Sequence, residues 1–214
     1  MRNRARILIA DDHTLVAELC KKLLDAEFDV VGIVCDGHAL IRAAESLRPD
    51  VILLDIAMPV LNGLDAGQQM KELFPAVKLI YLTVNSDAEV AAAAFRCGAS
   101  AYLLKTCASS ELVTAVREVL WGKSYLSRDL CRDAVEFLRR QQEKLVEEGE
   151  RLTGRQREVL QLLAEGKVMK EVGSILNMTP RTVAFHKYRI MELVGAKSSA
   201  DLVRYAVRNH LTAA

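Results

Sequence analysis

The 214-residue sequence lacks the patterns that mark disulfide-rich, zinc-binding and membrane proteins. Its five cysteines are odd in number and form no Cys-x-x-Cys pair, so we interpret them as small apolar residues. It has no apolar run of the roughly 18 residues that span a bilayer, which excludes a membrane-spanning protein. Only four apolar residues separate the basic opening from Asp11, too few for a signal peptide. We therefore expect a cytoplasmic protein with no membrane partner.

What the sequence does contain is an uneven distribution of charge. Residues 1–127 hold 13 basic and 16 acidic side chains, whereas residues 151–214 hold 11 basic and 5 acidic ones. The length is sufficient for two small domains, each with a modest core. An acidic first part and a basic last part indicate two domains with different partners, and the basic one favours a polyanion.

Residues 1–127 alternate short β-branched runs with helical patterns, which is typical of an α/β domain. Most of the runs are continuously apolar, as expected of strands buried on both faces of a parallel sheet. We predict a five-stranded, doubly wound parallel sheet with strand order 2-1-3-4-5. The predicted strands are Arg6 to Ala10, Val30 to Cys35, Val51 to Leu54, Lys78 to Thr83 and Ala101 to Leu104.

Capping residues in the same region predict where one helix begins and ends and where the next helix begins. Ser86 and Glu89 have the spacing of a capping box, and Gly98 stands where that helix would finish. Ser109 or Ser110 can cap the next helix.

Residues 128–150 are highly charged and contain no proline, which predicts a mostly helical linker. Its sparse apolar stripe either packs against a partner copy or belongs to a solvated helix.

Residues 151–214 show four helical patterns and no strand pattern. Thr153 and Gln156 form a capping box ahead of the first helix. A short helix and a tight turn follow, and then a helix capped by Thr179 with Pro180 at its first position. This succession predicts a helix-turn-helix domain.

Polar residues with complementary chemistry follow the ends of the predicted strands. Asp11 and Asp12 follow the first strand and Asp55 ends the third, while Thr83 and Lys105 end the fourth and fifth. In this strand order the first and third strands are neighbours at the point where ligands bind, so the carboxylates converge. Three anions in one crevice require a cation, and an oxygen-only ligand set suits Mg²⁺.

Such a crevice can accept a phosphoryl group. Asp55 can act as a nucleophile that forms an acyl phosphate. The divalent ion and Lys105 offset charge on the transferring oxygens, and Thr83 can bond a phosphate oxygen.

This combination resembles the receiver domain of two-component response regulators. The residues that carry the resemblance are Asp11-Asp12, the run Asp55-Ile-Ala-Met-Pro-Val-Leu-Asn-Gly63, Thr83 and Lys105. One departure is Thr106, where many receivers have a proline.

The resemblance implies a flavodoxin-like fold and a role for each pocket residue. Asp55 is then the phosphoacceptor, Asp12 ligates Mg²⁺ directly, and Asp11 acts partly through water. The backbone carbonyl of Ala57 completes the metal site. Tyr102 is implied to rotate inward when Asp55 is phosphorylated, together with Thr83.

Structural interpretations of the same residues stay open. Asp11 and Asp12 can cap a helix, Lys105 can be a surface lysine, and Tyr102 can be a half-buried packing residue.

The helix that begins at Pro180 predicts a DNA-reading face when its residues are placed at 100° intervals. The core side comprises Val183, Ile190, Leu193 and Val194, and the opposite side comprises Arg181, Ala184, Phe185, Tyr188 and Glu192. Arg155 and Arg157 are further candidates for phosphate contacts. The full set of predicted DNA-binding residues is Lys170, Thr179, Arg181, Thr182, Ala184, Phe185, His186, Lys187, Tyr188, Arg189 and Lys197.

The last domain resembles the LuxR-type helix-turn-helix, and the whole chain resembles the NarL/FixJ class of response regulators. The motif residues include Leu152-Thr153-Gly-Arg-Gln, Lys170-Glu171-Val172, Thr182-Val183 and Leu193-Val194-Gly195. The resemblance implies a transcriptional regulator that a sensor histidine kinase phosphorylates. Phosphorylation is then expected to relieve inhibition and promote a homodimer on double-stranded DNA. Such a protein is not an enzyme beyond self-catalysed phosphotransfer and dephosphorylation.

Departures from the class fall at the DNA-reading helix and just before it. Val168 and Met169 replace the usual cap of the second helix, and Ala184 stands where a lysine is common. The chain therefore either reads an A·T-rich or shape-defined site, or has drifted towards weak DNA binding and a protein partner. A phosphatase related to the same chemistry is disfavoured, because Ala57 stands where an acid would protonate the leaving group.

Overall fold

The computed structural model describes residues 4–84, 86–106, 108–130 and 152–212. The first domain consists of β1 (Arg6–Ala10), α1 (Thr14–Leu24), β2 (Asp29–Val34), α2 (Gly37–Leu47), β3 (Val51–Asp55), α3 (Gly63–Leu73), β4 (Lys78–Thr83), α4 (Ala88–Arg96), β5 (Ala99–Leu104), α5 (Ala108–Leu120), β6 (Tyr125–Leu126) and a 3₁₀ turn (Arg128–Leu130). The second domain consists of α6 (Gly154–Ala164), α7 (Met169–Leu176), α8 (Pro180–Val194) and α9 (Ser199–Arg208).

The sheet is parallel throughout and confirms the predicted fold class and strand order. Its order is β2-β1-β3-β4-β5-β6. The sixth strand, Tyr125–Leu126, was not predicted. Two residues are too few to show a strand pattern, and this strand exists only through its pairing with Ala101 and Tyr102.

Alternating side chains of the strands fill a hydrophobic core on each face of the sheet, as successive residues of a strand point to opposite sides. Leu8, Ile52 and Leu54 face α2, α3 and α4 on one side. Ile7 and Leu53 face α1 and α5 on the other. Both faces are covered, which explains why the strands read as continuous apolar runs rather than alternating ones.

Two predicted helix starts are corrected. Asp87 rather than Ser86 caps α4, because its side chain accepts a hydrogen bond from the backbone N–H of Glu89 at 2.9 Å. Helix α5 already begins at Ala108, so Ser109 and Ser110 lie inside its first turn. Gly98 follows α4 with a φ of 85°, as its predicted position at the helix end requires.

The second domain has the predicted helix-turn-helix arrangement around its own core. Thr153 and Gln156 form both hydrogen bonds of the capping box, and Thr179 caps α8 ahead of Pro180. Val168 offers no side-chain cap to α7, although the Glu171 carboxylate accepts from its backbone N–H at 2.8 Å.

The cysteines only partly match their expected burial. Cys20 is buried, and burial raises the pKa of its thiol to about 11, whereas Cys35 is exposed and Cys97 is intermediate. Cys35 directly follows the edge strand β2, and its exposure contradicts the burial expected of a small apolar residue. Cys107 and Cys131 lie outside the described residues, as do residues 131–150 of the predicted linker 128–150, whose first three residues form the 3₁₀ turn. No helix within the described ranges has the length and apolar character needed to cross a membrane.

Candidate functional site

Carboxylates from two neighbouring strands meet at the carboxyl edge of the sheet. Asp11 directly follows β1, Asp55 ends β3, and the pairing of Ala10 with Leu54 brings them side by side. Both carboxylates are only 3% exposed, while Asp12 lies at the surface. The strand order thus produces the convergence that the sequence predicted.

Lys105 joins the two buried carboxylates. Its Nζ atom lies 2.8 Å from Oδ2 of Asp55 and 2.8 Å from Oδ2 of Asp11. Burial, the largest influence, raises the pKa of Asp55, and the hydrogen bond from Lys105 opposes this rise. Burial alone would lower the pKa of Lys105, but its bonds to both carboxylates raise it above the ordinary value. The lysine is therefore held charged where anionic oxygens gather.

His13 is a pocket residue that the sequence analysis missed. Its Nδ1 atom lies 2.8 Å from Oδ1 of Asp12 and 4.0 Å from Oδ2 of Asp55. One ligand atom from each of Asp11, Asp12, His13 and Asp55 fits within 4.8 Å of the others. The sequence feature that could have identified His13 as a pocket residue is its position directly after Asp12.

The loop between β3 and α3 is shaped by close backbone approach. A Cβ atom added at Gly63 would lie 2.0 Å from the carbonyl oxygen of Asp55, so α3 can begin here only with glycine. The N–H of Gly63 donates to the Ile56 carbonyl at 2.9 Å. Ala57 lies in this loop and donates its N–H to Oδ1 of Asp55 at 3.3 Å.

Thr83 and Tyr102 form a buried pair beside the pocket. Thr83 ends β4 and is 2% exposed, and Tyr102 in β5 is fully buried. The two side chains share a hydrogen bond, and burial raises the pKa of the Tyr102 phenol. The backbone N–H of Lys105 donates to the Thr83 carbonyl at 2.7 Å, which links this pair to the pocket. The rotation of Tyr102 stays a prediction.

The predicted DNA-binding residues fall into two groups by exposure. Lys170, Thr179, Arg181, Thr182, Phe185, Tyr188, Arg189 and Lys197 are exposed. Ala184, His186 and Lys187 are partly buried. The Lys187 Nζ donates to the Ser199 hydroxyl at 2.9 Å, and the Arg189 guanidinium pairs with Glu192 at 2.6 Å.

Arg155 and Arg157, the further candidates for phosphate contacts, both bond to other residues of the chain. Arg155 hydrogen-bonds Glu158 in its own helix and the Leu176 carbonyl. Arg157 pairs with Asp65 of the first domain at 2.5 Å and also bonds Gln68. These partners are far away in sequence, so no local pattern could have indicated them.

Helix α6 docks on the β3–α3 loop through a buried amide cluster that the sequence analysis also missed. Gln161, fully buried, accepts from the backbone N–H of Asn62 at 2.8 Å and donates to the Met58 carbonyl at 3.2 Å. The Glu165 carboxylate accepts from the Val60 N–H at 3.2 Å. Val60 has a φ of 69°, a strained value for a β-branched residue. The second domain thus holds the loop that follows Asp55.

Comparisons with known proteins agree with this arrangement. Residues 7–117 match the response regulator receiver domain, and residues 150–206 match the luxR family of bacterial regulatory proteins. The chain therefore belongs to the two-component response regulators with a LuxR-type DNA-binding domain, and its class is that of DNA-binding transcription regulators.

Individual relatives span nearly the whole chain. The transcriptional regulatory protein LiaR of Bacillus subtilis (strain 168) is 35% identical over 208 residues, 96% of this chain and 98% of its own. The oxygen regulatory protein NreC of Staphylococcus aureus (strain MRSA252) is 33% identical over 213 residues, with 96% and 98% covered.

Solved structures are similar over the same length. RcsB of Salmonella typhimurium has a TM-score of 0.63 at 27% identity, covering 95% of this chain and 96% of that one. A structure of two RcsB dimers bound to two parallel DNAs has a TM-score of 0.57 at 27% identity, covering 95% and 98%.

Proposed function

We propose that Asp55 is the residue of this regulator that accepts a phosphoryl group from a sensor histidine kinase. The observation that carries the proposal is the position of Lys105, which lies equally close to Asp55 and Asp11 at the mouth of the pocket. An oxygen of Asp55 attacks phosphorus while the bond from phosphorus to the donor nitrogen breaks. The product is an acyl phosphate, and Lys105 neutralises its oxygens.

The residues of the pocket suit Mg²⁺. Carboxylate oxygens are the preferred ligands of this ion, and those of Asp11, Asp12 and Asp55 converge within 4.8 Å. We assign the ion to these three carboxylates and to the backbone carbonyl of Ala57. When bound, Mg²⁺ supplies positive charge that offsets the charge of the phosphoryl oxygens.

Phosphorylation is proposed to act on the second domain through Thr83 and Tyr102. A phosphoryl oxygen on Asp55 offers the Thr83 hydroxyl a new partner, which breaks its bond with Tyr102 or reorients both side chains. Residues 1–127 then act as the receiver, 128–150 as a linker and 151–214 as the DNA-binding domain. The phosphorylated form is proposed to be a homodimer in the cytoplasm.

The DNA interface is proposed to be α8 with its flanking segments. Base edges in the major groove face the exposed side of α8, and phosphates contact the surrounding polar residues. The proposed interface comprises Lys170, Thr179, Arg181, Thr182, Ala184, Phe185, His186, Lys187, Tyr188, Arg189 and Lys197.

Incubation of the full chain with Mg²⁺ and acetyl phosphate tests the phosphoacceptor. Mass spectrometry should show one added phosphoryl group on the unaltered protein and none on Asp55→Asn. The matched control is Asp25→Asn, since Asp25 is an exposed acid paired only with Lys21 among the described ion pairs. Labelling of Asp55→Asn at the control level would refute the assignment.

Random-site selection, with and without phosphorylation, tests the DNA interface. A duplex recovered in this way should bind more weakly as salt rises, with a log–log slope of roughly −5 for about six neutralised phosphates. If no duplex is recovered, the second domain acts through a protein partner instead.

A further inference from the structure

The centre of the exposed face of α8 is aromatic rather than cationic. Phe185 is 69% exposed and Tyr188 is 67% exposed, although both are large apolar rings. They lie three residues apart, and side chains at this spacing are neighbours on one helix face. Ala184 stands beside them and adds only a methyl group.

The two basic residues that adjoin Tyr188 in the sequence bond to other residues of their own domain. Lys187 donates to the Ser199 hydroxyl at the start of α9, and Arg189 pairs with Glu192 one turn further on. Arg181 is exposed but lies in the first turn of the helix, one turn before Phe185. The middle of the face therefore has no cation positioned to form the paired hydrogen bonds that recognise guanine.

Neighbouring side chains also restrict the orientation of Phe185. Its ring contacts His186 edge to face, with centroids 5.9 Å apart. The Nδ1 atom of His186 is buried with no hydrogen-bond partner among the described residues, so this edge of the partly buried imidazole is packed into the domain. A ring that rests against a packed neighbour is partly preorganised, and ordering it on binding costs less entropy.

We infer that Phe185 and Tyr188 make α8 read thymine, through apolar contact of their rings with C5-methyl groups in the major groove. The inference rests on the proposed DNA interface and adds which base that interface recognises. Thymine is the only base whose major-groove edge carries a methyl group, so apolar side chains distinguish it where hydrogen-bond donors would select guanine.

Charge around the rings favours DNA over a protein partner. Exposed basic residues of the same domain include Lys170, Arg181 and Lys197, and residues 151–214 carry 11 basic against 5 acidic side chains. The cores of protein interfaces are depleted of charge, whereas DNA interfaces are strongly positive. Two exposed aromatic side chains in a basic domain therefore fit DNA, a polyanion whose major groove exposes the apolar methyl groups of thymine.

Replacing thymine by deoxyuridine in a duplex obtained by random-site selection tests the inference. This replacement removes the methyl group and keeps every hydrogen-bonding atom. Burial of one methyl-sized group corresponds to about a fourfold change in affinity, so the unaltered protein should bind the deoxyuridine duplex about fourfold more weakly for each contacted thymine. Phe185→Ala should bind the thymine duplex more weakly and lose most of the preference between the two duplexes.

Two further variants and a spectrum keep the test decisive. Phe185→Leu retains apolar surface and should keep part of the preference, and Leu19→Ala, which changes an exposed apolar residue of α1, should keep all of it. Circular dichroism verifies that each variant is folded. Equal affinity of the unaltered protein for both duplexes would overturn the inference while leaving the proposed function intact. An undiminished preference in Phe185→Ala would also overturn it, whereas recovery of no duplex would overturn the proposed function itself.

Discussion

Replacement of Gln161 by alanine should release the second domain from the β3–α3 loop. The amide of Gln161 makes three hydrogen bonds to the first domain, from the N–H and Nδ2 of Asn62 and to the Met58 carbonyl. It is completely buried, and Asn62 is only 2% exposed. Truncation therefore removes the Gln161 partner of the Asn62 N–H and of the Met58 carbonyl in a place that water reaches poorly, while Asn62 Nδ2 keeps its bond to Asp65.

The expected size of the effect follows from these three bonds. A typical net contribution is about 1 kcal/mol for each, and an unsatisfied buried group costs about 1–3 kcal/mol. A loss of roughly 2–4 kcal/mol allows for partial relaxation around the truncated side chain. At 1.4 kcal/mol per factor of ten, this weakens docking by roughly 30- to 700-fold.

Hydrogen exchange at the Val60 amide measures this release. The Val60 N–H donates to Glu165, which Gln161 also bonds, so faster exchange reports that the Glu165 carboxylate has separated from the β3–α3 loop. The control is Ser174→Ala, which removes a hydroxyl whose one hydrogen bond to the described residues is to the Lys170 carbonyl within α7. Unchanged exchange at Val60 in a folded Gln161→Ala variant would refute the reasoning.

Three further substitutions have defined expectations. Tyr81→Phe should leave the free energy of unfolding in urea unchanged or raise it by up to about 1–3 kcal/mol, because the buried hydroxyl has no hydrogen-bond partner among the described residues; a clear loss would contradict this. Thr179→Ala should cost about 1 kcal/mol, since the side chain caps α8 by accepting from the Thr182 N–H, and an unchanged unfolding midpoint would count against it. Burial, opposed by Arg157, raises the pKa of Asp65, so its contribution to stability is complete below the pKa of the unfolded carboxyl and is lost as pH rises through the folded value. Asp65→Asn should therefore flatten the fall in unfolding free energy over that pH range, and an unaltered profile would be the contrary result.

Much of the acidic pocket was predictable because each member is placed by its position at a strand end. Asp11 and Asp55 follow apolar runs, and parallel strands deliver their carboxyl ends to one edge of the sheet. Lys105 was predictable in the same way. His13 was missed because it follows β1 by three residues, and only the start of α1 turns its imidazole towards Asp12.

Arg157 of α6 shows where local reasoning failed. Arg157 belongs to a basic domain and was assigned to phosphate, yet its partner Asp65 is 92 residues away in the sequence. The charge of Arg157 was evident from the sequence, while its partner depended on which surfaces pack together.

The sequence by itself determined the elements, their order and the gathering of acidic groups, because hydrophobic periodicity, caps and strand ends act over a few residues. Only the tertiary structure decided which of the basic side chains remain available to a ligand. It also decided that Gln161 holds the loop after Asp55. These properties depend on contacts between segments distant in the chain, and such contacts produce no local sequence pattern in the residues that make them.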